Sequence, residues 1–140
     1  MIDLIRDGIS LALRRGFPAC AVYGDGQVRQ GLENPCFFVG LGEYTMAPLP
    51  CGLREVRQIV DVAYFPEQEG DFGEMWSVGP QVIAILSALT LSDGSTIRGA
   101  ALRCGLSDGL MHIHGVYRLR LKPVERSGEK MMELDHLMGV

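Results

Sequence analysis

STIRGAALRCGLSDGLMHIHGVYRLRLK, running from Ser95 to Lys122, turns back on itself at Asp108-Gly109. An Asp-Gly pair between two β-like runs is among the strongest local signals for a two-residue hairpin loop. With that loop in place, Ser107 faces Leu110, Leu106 faces Met111, Cys104 faces Ile113, Leu102 faces Gly115 and Ala100 faces Tyr117. Side chains alternate across a pleat with period two, so these pairs share one side. The other side sets Arg103 against His114, Ala101 against Val116, Gly99 against Arg118 and Ile97 against Arg120. One face is therefore apolar and the other basic. Turn and pattern agree on a half-buried antiparallel ladder.

Outward from this hairpin, the chain supplies a sheet and two helices. Arg54 to Tyr64 reads as a long strand with Val56, Gln58, Val60, Val62 and Tyr64 on one face. Glu55, Arg57, Ile59, Asp61 and Ala63 lie on the other, and Phe65-Pro66 ends the run. Cys36 to Leu41 is apolar on both faces, as expected of a covered strand. Ala21 to Tyr23 is a short β-like run, followed by a turn at Asp25-Gly26 and a polar connection ending in Asn34-Pro35. Gly42 to Pro50, with two prolines and no periodicity, reads as an exposed loop. Ile2, Ile5, Ile9, Ala12 and Leu13 recur at helical spacing. Asp3 is placed to cap that helix, Arg14 and Arg15 suit its last turn, and Gly16 and Pro18 end it. Gly8 weakens the helix by about 1 kcal/mol relative to alanine, so packing must hold it. Met75, Val78, Val82, Ile85, Leu86 and Leu89 mark a second helix. Pro80 requires that helix either to kink near Trp76 or to begin near Ser77. The expected fold is α+β: an antiparallel sheet with a long C-terminal hairpin, flanked by two helices. One domain is expected over residues 1–124, followed by a C-terminal tail over residues 125–140 that is charged from Glu125 to Lys130 and Met/Leu-rich at its end.

The 140 residues are enough for one domain with a real core. Hydrophobic residues make up 47% and charged residues 21%, and the net charge of −4 argues against a protein that coats nucleic acid. No apolar run is long enough to span a bilayer. The start lacks the pattern of a signal peptide, which sets the expected location in the cytoplasm. Cys20, Cys36, Cys51 and Cys104 include no Cys-x-x-Cys pair and read as free thiols.

Several chemistries can be weighed on single residues. His112 and His114 share a strand face, and such a pair can ligate a metal. Arg103, Arg118 and Arg120 lie on that same face and would repel a cation, so no metal is expected. Zinc held by Cys36, Cys51 and a histidine is set aside for want of regular ligand spacing. Gly40-x-Gly42 has no helix behind it and is no dinucleotide fingerprint. Neither Ser77 nor Ser107 sits in a nucleophile elbow. Asp61, Glu67, Glu69 and Asp71 read as solvated carboxylates. No catalytic constellation emerges, and no cofactor is expected. The rival to a non-enzymatic protein is a small-ligand or metal-dependent enzyme built on His112, His114 and a nearby cysteine.

Gln30-Gly31-Leu32-Glu33-Asn34-Pro35-Cys36-Phe37-Phe38-Val39 resembles a segment of short phage tail terminator proteins, found in phages and prophages of Gram-positive bacteria. Tyr64-Phe65-Pro66, Arg98-Gly99 leading to Asp108-Gly109-Leu110-Met111-His112, and Met132-Glu133-Leu134 match in the same order. Gly79-Pro80 and the His-x-His pair depart from the family pattern. The resemblance implies a structural protein and not an enzyme. Such a protein caps the tail tube as a ring, often of six copies, stops tube growth and offers a surface to head-completion proteins. Its implied partners are its own copies, the tail tube protein and the head-completion or stopper protein. DNA would pass through the lumen without sequence-specific binding, and no membrane is involved. Assembly would take place in the host cytoplasm, and the protein would end in the virion tail.

A closed ring needs two different, complementary surfaces on each chain. The expected pair is Arg103, Arg118 and Arg120 on the hairpin against Glu67, Glu69, Asp71 and Glu74 before the second helix. Tyr44 is the exposed aromatic expected at an interface.

Overall fold

A computed structural model describes residues 2–24, 33–123 and 132–135. The elements follow as α1 (Ile2–Gly16), β1 (Ala21–Gly24), β2 (Cys36–Pro48), β3 (Arg54–Phe65), α2 (Phe72–Leu86), β4 (Ala88–Thr90), β5 (Thr96–Ser107), β6 (Leu110–Pro123) and β7 (Met132–Asp135). The strands lie in the order β1-β2-β3-β6-β5-β4, and β7 pairs with β6. All pairings are antiparallel except β1 with β2. β5 accompanies β6 only as far as Tyr117, and β7 pairs with β6 from Arg120 to Pro123.

One face of the sheet carries the core. Phe37 and Val39 of β2, Val60, Val62 and Tyr64 of β3, and Met111, Ile113 and Tyr117 of β6 line up across the ladders and are buried. The two helices meet this cluster with Ile5, Ile9 and Leu13 from α1 and Met75, Val78, Val82 and Leu86 from α2. The α1 stripe is the one its helical spacing predicts. Its two glycines are close-approach points. A Cβ on Gly8 would lie 3.0 Å from Leu91 Cδ2, and one on Gly16 2.6 Å from Ile85 Cδ1. What Gly8 loses in helix propensity therefore goes into close contact with the β4–β5 turn, and Gly16 does the same against α2. Tyr117 reaches the end of α2, where its hydroxyl donates to the carbonyl of Leu86 at 2.6 Å.

α2 begins at Phe72, earlier than a start at Ser77 would require. Asp71 caps it by accepting from the Glu74 amide at 3.1 Å. Pro80 sits inside the helix on its exposed side, where solvent can serve the Trp76 carbonyl that proline cannot reach. Leu89 belongs to β4 and not to the helix.

The hairpin register holds from Ser107–Leu110 through Leu106–Met111 and Cys104–Ile113, and Arg103 does face His114. Beyond that point the expected pairing fails. Ala100 faces Val116 and Gly99 faces Tyr117, because Ala101 and Leu102 together oppose the single residue Gly115. This two-against-one bulge puts Ala101 at φ +53° and lays Leu102 over Gly115, where a Cβ would come within 2.5 Å of Leu102 Cδ2. The extra residue returns Ile97 to the core face. It is 1% exposed and pairs with Leu89, not with Arg120.

The expected loop from Gly42 to Pro50 is also corrected. β2 runs on to Pro48, pairing with β3 as far as Pro48–Arg54, and a 3-10 turn at Pro50–Gly52 closes the hairpin. β1 pairs with β2 from Cys36 to Val39, and residues 42–48 of β2 pair with no strand on that side among the described residues. Residues 42–48 are accordingly exposed. A second bulge opposes Gly42 and Glu43 to Ile59. The buried Gln58 amide serves it, donating to the carbonyls of Gly42 at 3.0 Å and Ile59 at 2.8 Å. The turn expected at Asp25-Gly26 lies outside the described residues.

Candidate functional site

The sheet face away from the helices is where the polar side chains collect. β3 and β6 pair so that Asp61 lies opposite His114 and Ala63 opposite His112. Period-two alternation then brings one carboxylate and two imidazoles together. Asp61 Oδ1 is 3.3 Å from His112 Nδ1 and 3.5 Å from His114 Nδ1. The two rings stack at 6.0 Å with their planes 9° apart. Among the described residues these three are the group of His, Cys, Asp and Glu side chains close enough to share one ion. Their side chains are 40%, 23% and 39% exposed in the order Asp61, His112, His114, so water and small ions reach them.

The predicted basic cluster is spread along the face. Arg103 opposes His114, Arg118 opposes Arg57, and Arg120 opposes Glu55. At about 3.3 Å per residue, Arg118 is roughly 13 Å along β6 from His114 and Arg120 roughly 20 Å. Arg103 donates to the Ala101 carbonyl of the bulge at 3.2 Å. Only Arg103 therefore stands beside the histidines.

The four acidic residues divide by role. Asp71 is the cap of α2, and Glu74 accepts from the Tyr64 hydroxyl at 2.5 Å and from the Glu67 amide at 3.2 Å. Burial and this carboxylate both push the Tyr64 hydroxyl well above the usual phenol range. Glu67 and Glu69 are exposed. Glu69 lines a cleft of about 510 Å³ together with Phe65, Pro66, Phe72 and the hairpin tip at Asp108-Gly109. This acidic end lies about 26 Å along β3 from Arg57 and Arg118, at roughly 3.3 Å per residue. Tyr44 is exposed on the free part of β2, opposite Gln58.

The structure withholds a cysteine from the histidines. Cys104 Sγ points to α2, 3.1 Å from where a Cβ of Gly79 would stand. Cys36 is buried at the start of β2 and Cys51 lies in the turn beyond its far end, roughly 40 Å away at about 3.3 Å per residue. A nucleophile or zinc set that needs these thiols next to His112 is not assembled. Sequence reasoning missed Asp61 as their neighbour. Its signal was present in the outward face of β3, but joining it to His114 needs the pairing of two strands some fifty residues apart.

No curated protein matches the chain. The family model described as phage tail terminator protein matches residues 4–129, which include all but the first two residues of α1, all of α2, β1 to β6 and the outward sheet face just described. The chain belongs to this family, structural proteins that complete the phage tail.

Proposed function

We propose that this chain closes the end of a phage tail tube as a ring of its own copies, six in number. The ring halts tube polymerisation and presents the surface on which head-completion proteins join. DNA threads its lumen without sequence-specific contact, assembly takes place in the host cytoplasm, and the protein is not an enzyme. The observation that carries this reading is the family match over residues 4–129.

The placement of charge supports a head-to-tail ring. Glu67 and Glu69 are exposed at one end of the sheet, while Arg57 and Arg118 face each other towards the other end. Like charges opposed across a ladder are unfavourable within one chain and are relieved by a carboxylate from a neighbour. Such a contact is screened beyond about 8 Å at physiological ionic strength, so added salt weakens it. The test is Arg118→Glu with Arg120→Glu in the producing phage, with tails measured by electron microscopy. Tails of abnormal length, or tails that fail to join heads, are expected from a variant that still folds. Normal tails joined to heads would remove this face from the ring contact.

A further inference from the structure

We propose that Asp61, His112 and His114 form a binding site for one divalent transition-metal ion per chain. The proposal does not depend on the ring reading and concerns the outward face of the sheet. In a tetrahedral site with bonds of about 2.0–2.2 Å to imidazole nitrogen and carboxylate oxygen, ligand atoms stand about 3.3–3.5 Å apart. Asp61 Oδ1 stands 3.3 Å from one imidazole nitrogen and 3.5 Å from the other. Two edges of the required polyhedron are therefore already in place. Two imidazoles and a carboxylate suit zinc and its first-row neighbours over magnesium or calcium, which prefer oxygen alone.

The backbone holds the three ligands on adjacent, directly paired strands. The space for the remaining ligands is also present. Gly105 pairs with His112 on the β5 side, and a Cβ there would meet nothing within 4 Å. Three protein ligands leave at least one coordination position for water or for an oxygen from a neighbouring molecule.

Cationic repulsion is weaker than the shared face suggests. Arg118 and Arg120 are roughly 13 and 20 Å along the strand, beyond the screening length of about 8 Å. Arg103 is the remaining opposing charge, and Asp61 supplies the negative charge that the histidines lack.

The test uses the full chain, kept reduced, stripped with a chelator and titrated with Zn²⁺ by calorimetry and by competition with a chromophoric chelator. One Zn²⁺ per chain is expected. Asp61→Asn and His114→Gln should each weaken binding by more than about tenfold, since even partners outside the ligand shell reach that scale. Arg103→Gln should tighten it several-fold, a direction that a misfolded variant would not produce. Co²⁺ should give visible d–d bands without a thiolate charge-transfer band. Three results overturn the proposal. One is the lack of saturable Zn²⁺ binding, which leaves the His112–Asp61 hydrogen bond and the proximity of His114 as the whole content of the cluster. Another is undiminished binding after both ligand substitutions, and the third is a thiolate band assigning the ion to a cysteine.

Discussion

Two long hairpins make up most of the sheet, and they differ in how they are covered. β5–β6 turns at Asp108-Gly109 and lays its Cys104–Ile113 ladder under α2. β2–β3 turns through Pro50–Gly52, and the β2 half of its outer end stands exposed along residues 42–48. Both carry a two-against-one bulge. In β5–β6 the bulge brings side chains back to the core, with Leu102 over Gly115 and Ile97 buried. In β2–β3 it falls just past the last residue that β1 covers, and a buried glutamine amide serves its carbonyls. The same backbone device thus ends in apolar packing where helices cover the sheet and in polar pairing at an uncovered edge. Bulges, prolines and charges at such edges also discourage unwanted strand pairing.

The contrast is largest in the ladder under α2. Ile113 is fully buried between Val62 and Cys104. Ile113→Ala should lower unfolding stability by about 2–5 kcal/mol, the usual range for removing a buried aliphatic side chain. Chemical denaturation followed by circular dichroism measures it. A loss under about 1 kcal/mol would mean that this ladder carries no more weight than the free edge.

The β5 bulge gives a sharper comparison. Gly115→Ala should cost about 1–3 kcal/mol, because the new methyl group meets Leu102 Cδ2 at 2.5 Å. Leu102→Ala removes the obstacle, so the double variant should lose less than the sum of the single losses. Additive losses in this cycle would show that Leu102 does not lie over Gly115 in solution.

At the β2 bulge the expected effect is smaller. Gln58→Leu removes the donor to the Gly42 and Ile59 carbonyls, yet it also removes a buried Oε1 that has no partner among the described residues. The two changes partly offset each other, leaving a net loss of about 1 kcal/mol. Amide exchange should quicken first in residues 41–45, and a uniform change across the sheet would show that the bulge does not open locally.

These differences explain what was legible in the sequence. The hairpin tip was readable from Asp108-Gly109 because a tight loop and a buried face impose a strict period of two. Ala101 broke the register because a bulge needs only one residue at positive φ, and alanine carries no signal for that. Residues 42–48 read as a loop because an uncovered edge buries neither face, so no period is left to detect. The helices were readable from their apolar stripes, although the start of α2 depended on the Asp71 cap. At the candidate site, His112 and His114 were visible and Asp61 was not, since only β3–β6 pairing makes it their neighbour. The basic and acidic residues were visible as charges. That Asp71 and Glu74 serve the helix terminus and Tyr64 was not.

Tyr44 gives the comparison its smallest stability effect and its most direct functional one. It is 37% exposed on the free edge, opposite Gln58, and few core contacts depend on it. Tyr44→Ser should therefore change unfolding stability by less than about 0.5 kcal/mol, as expected for surface positions. Tyrosines are enriched at the centres of interfaces, and Tyr44 is the tyrosine this edge presents. If the uncovered half of β2 meets a neighbouring chain or the tube, the same substitution should reduce the yield of phage with joined heads and tails while the isolated protein melts as before. Electron microscopy and plaque counts read the first quantity, and a thermal melt reads the second. Unchanged phage yield with an unchanged melt would place Tyr44 outside every assembly contact and leave the exposed edge as a device against unwanted pairing alone.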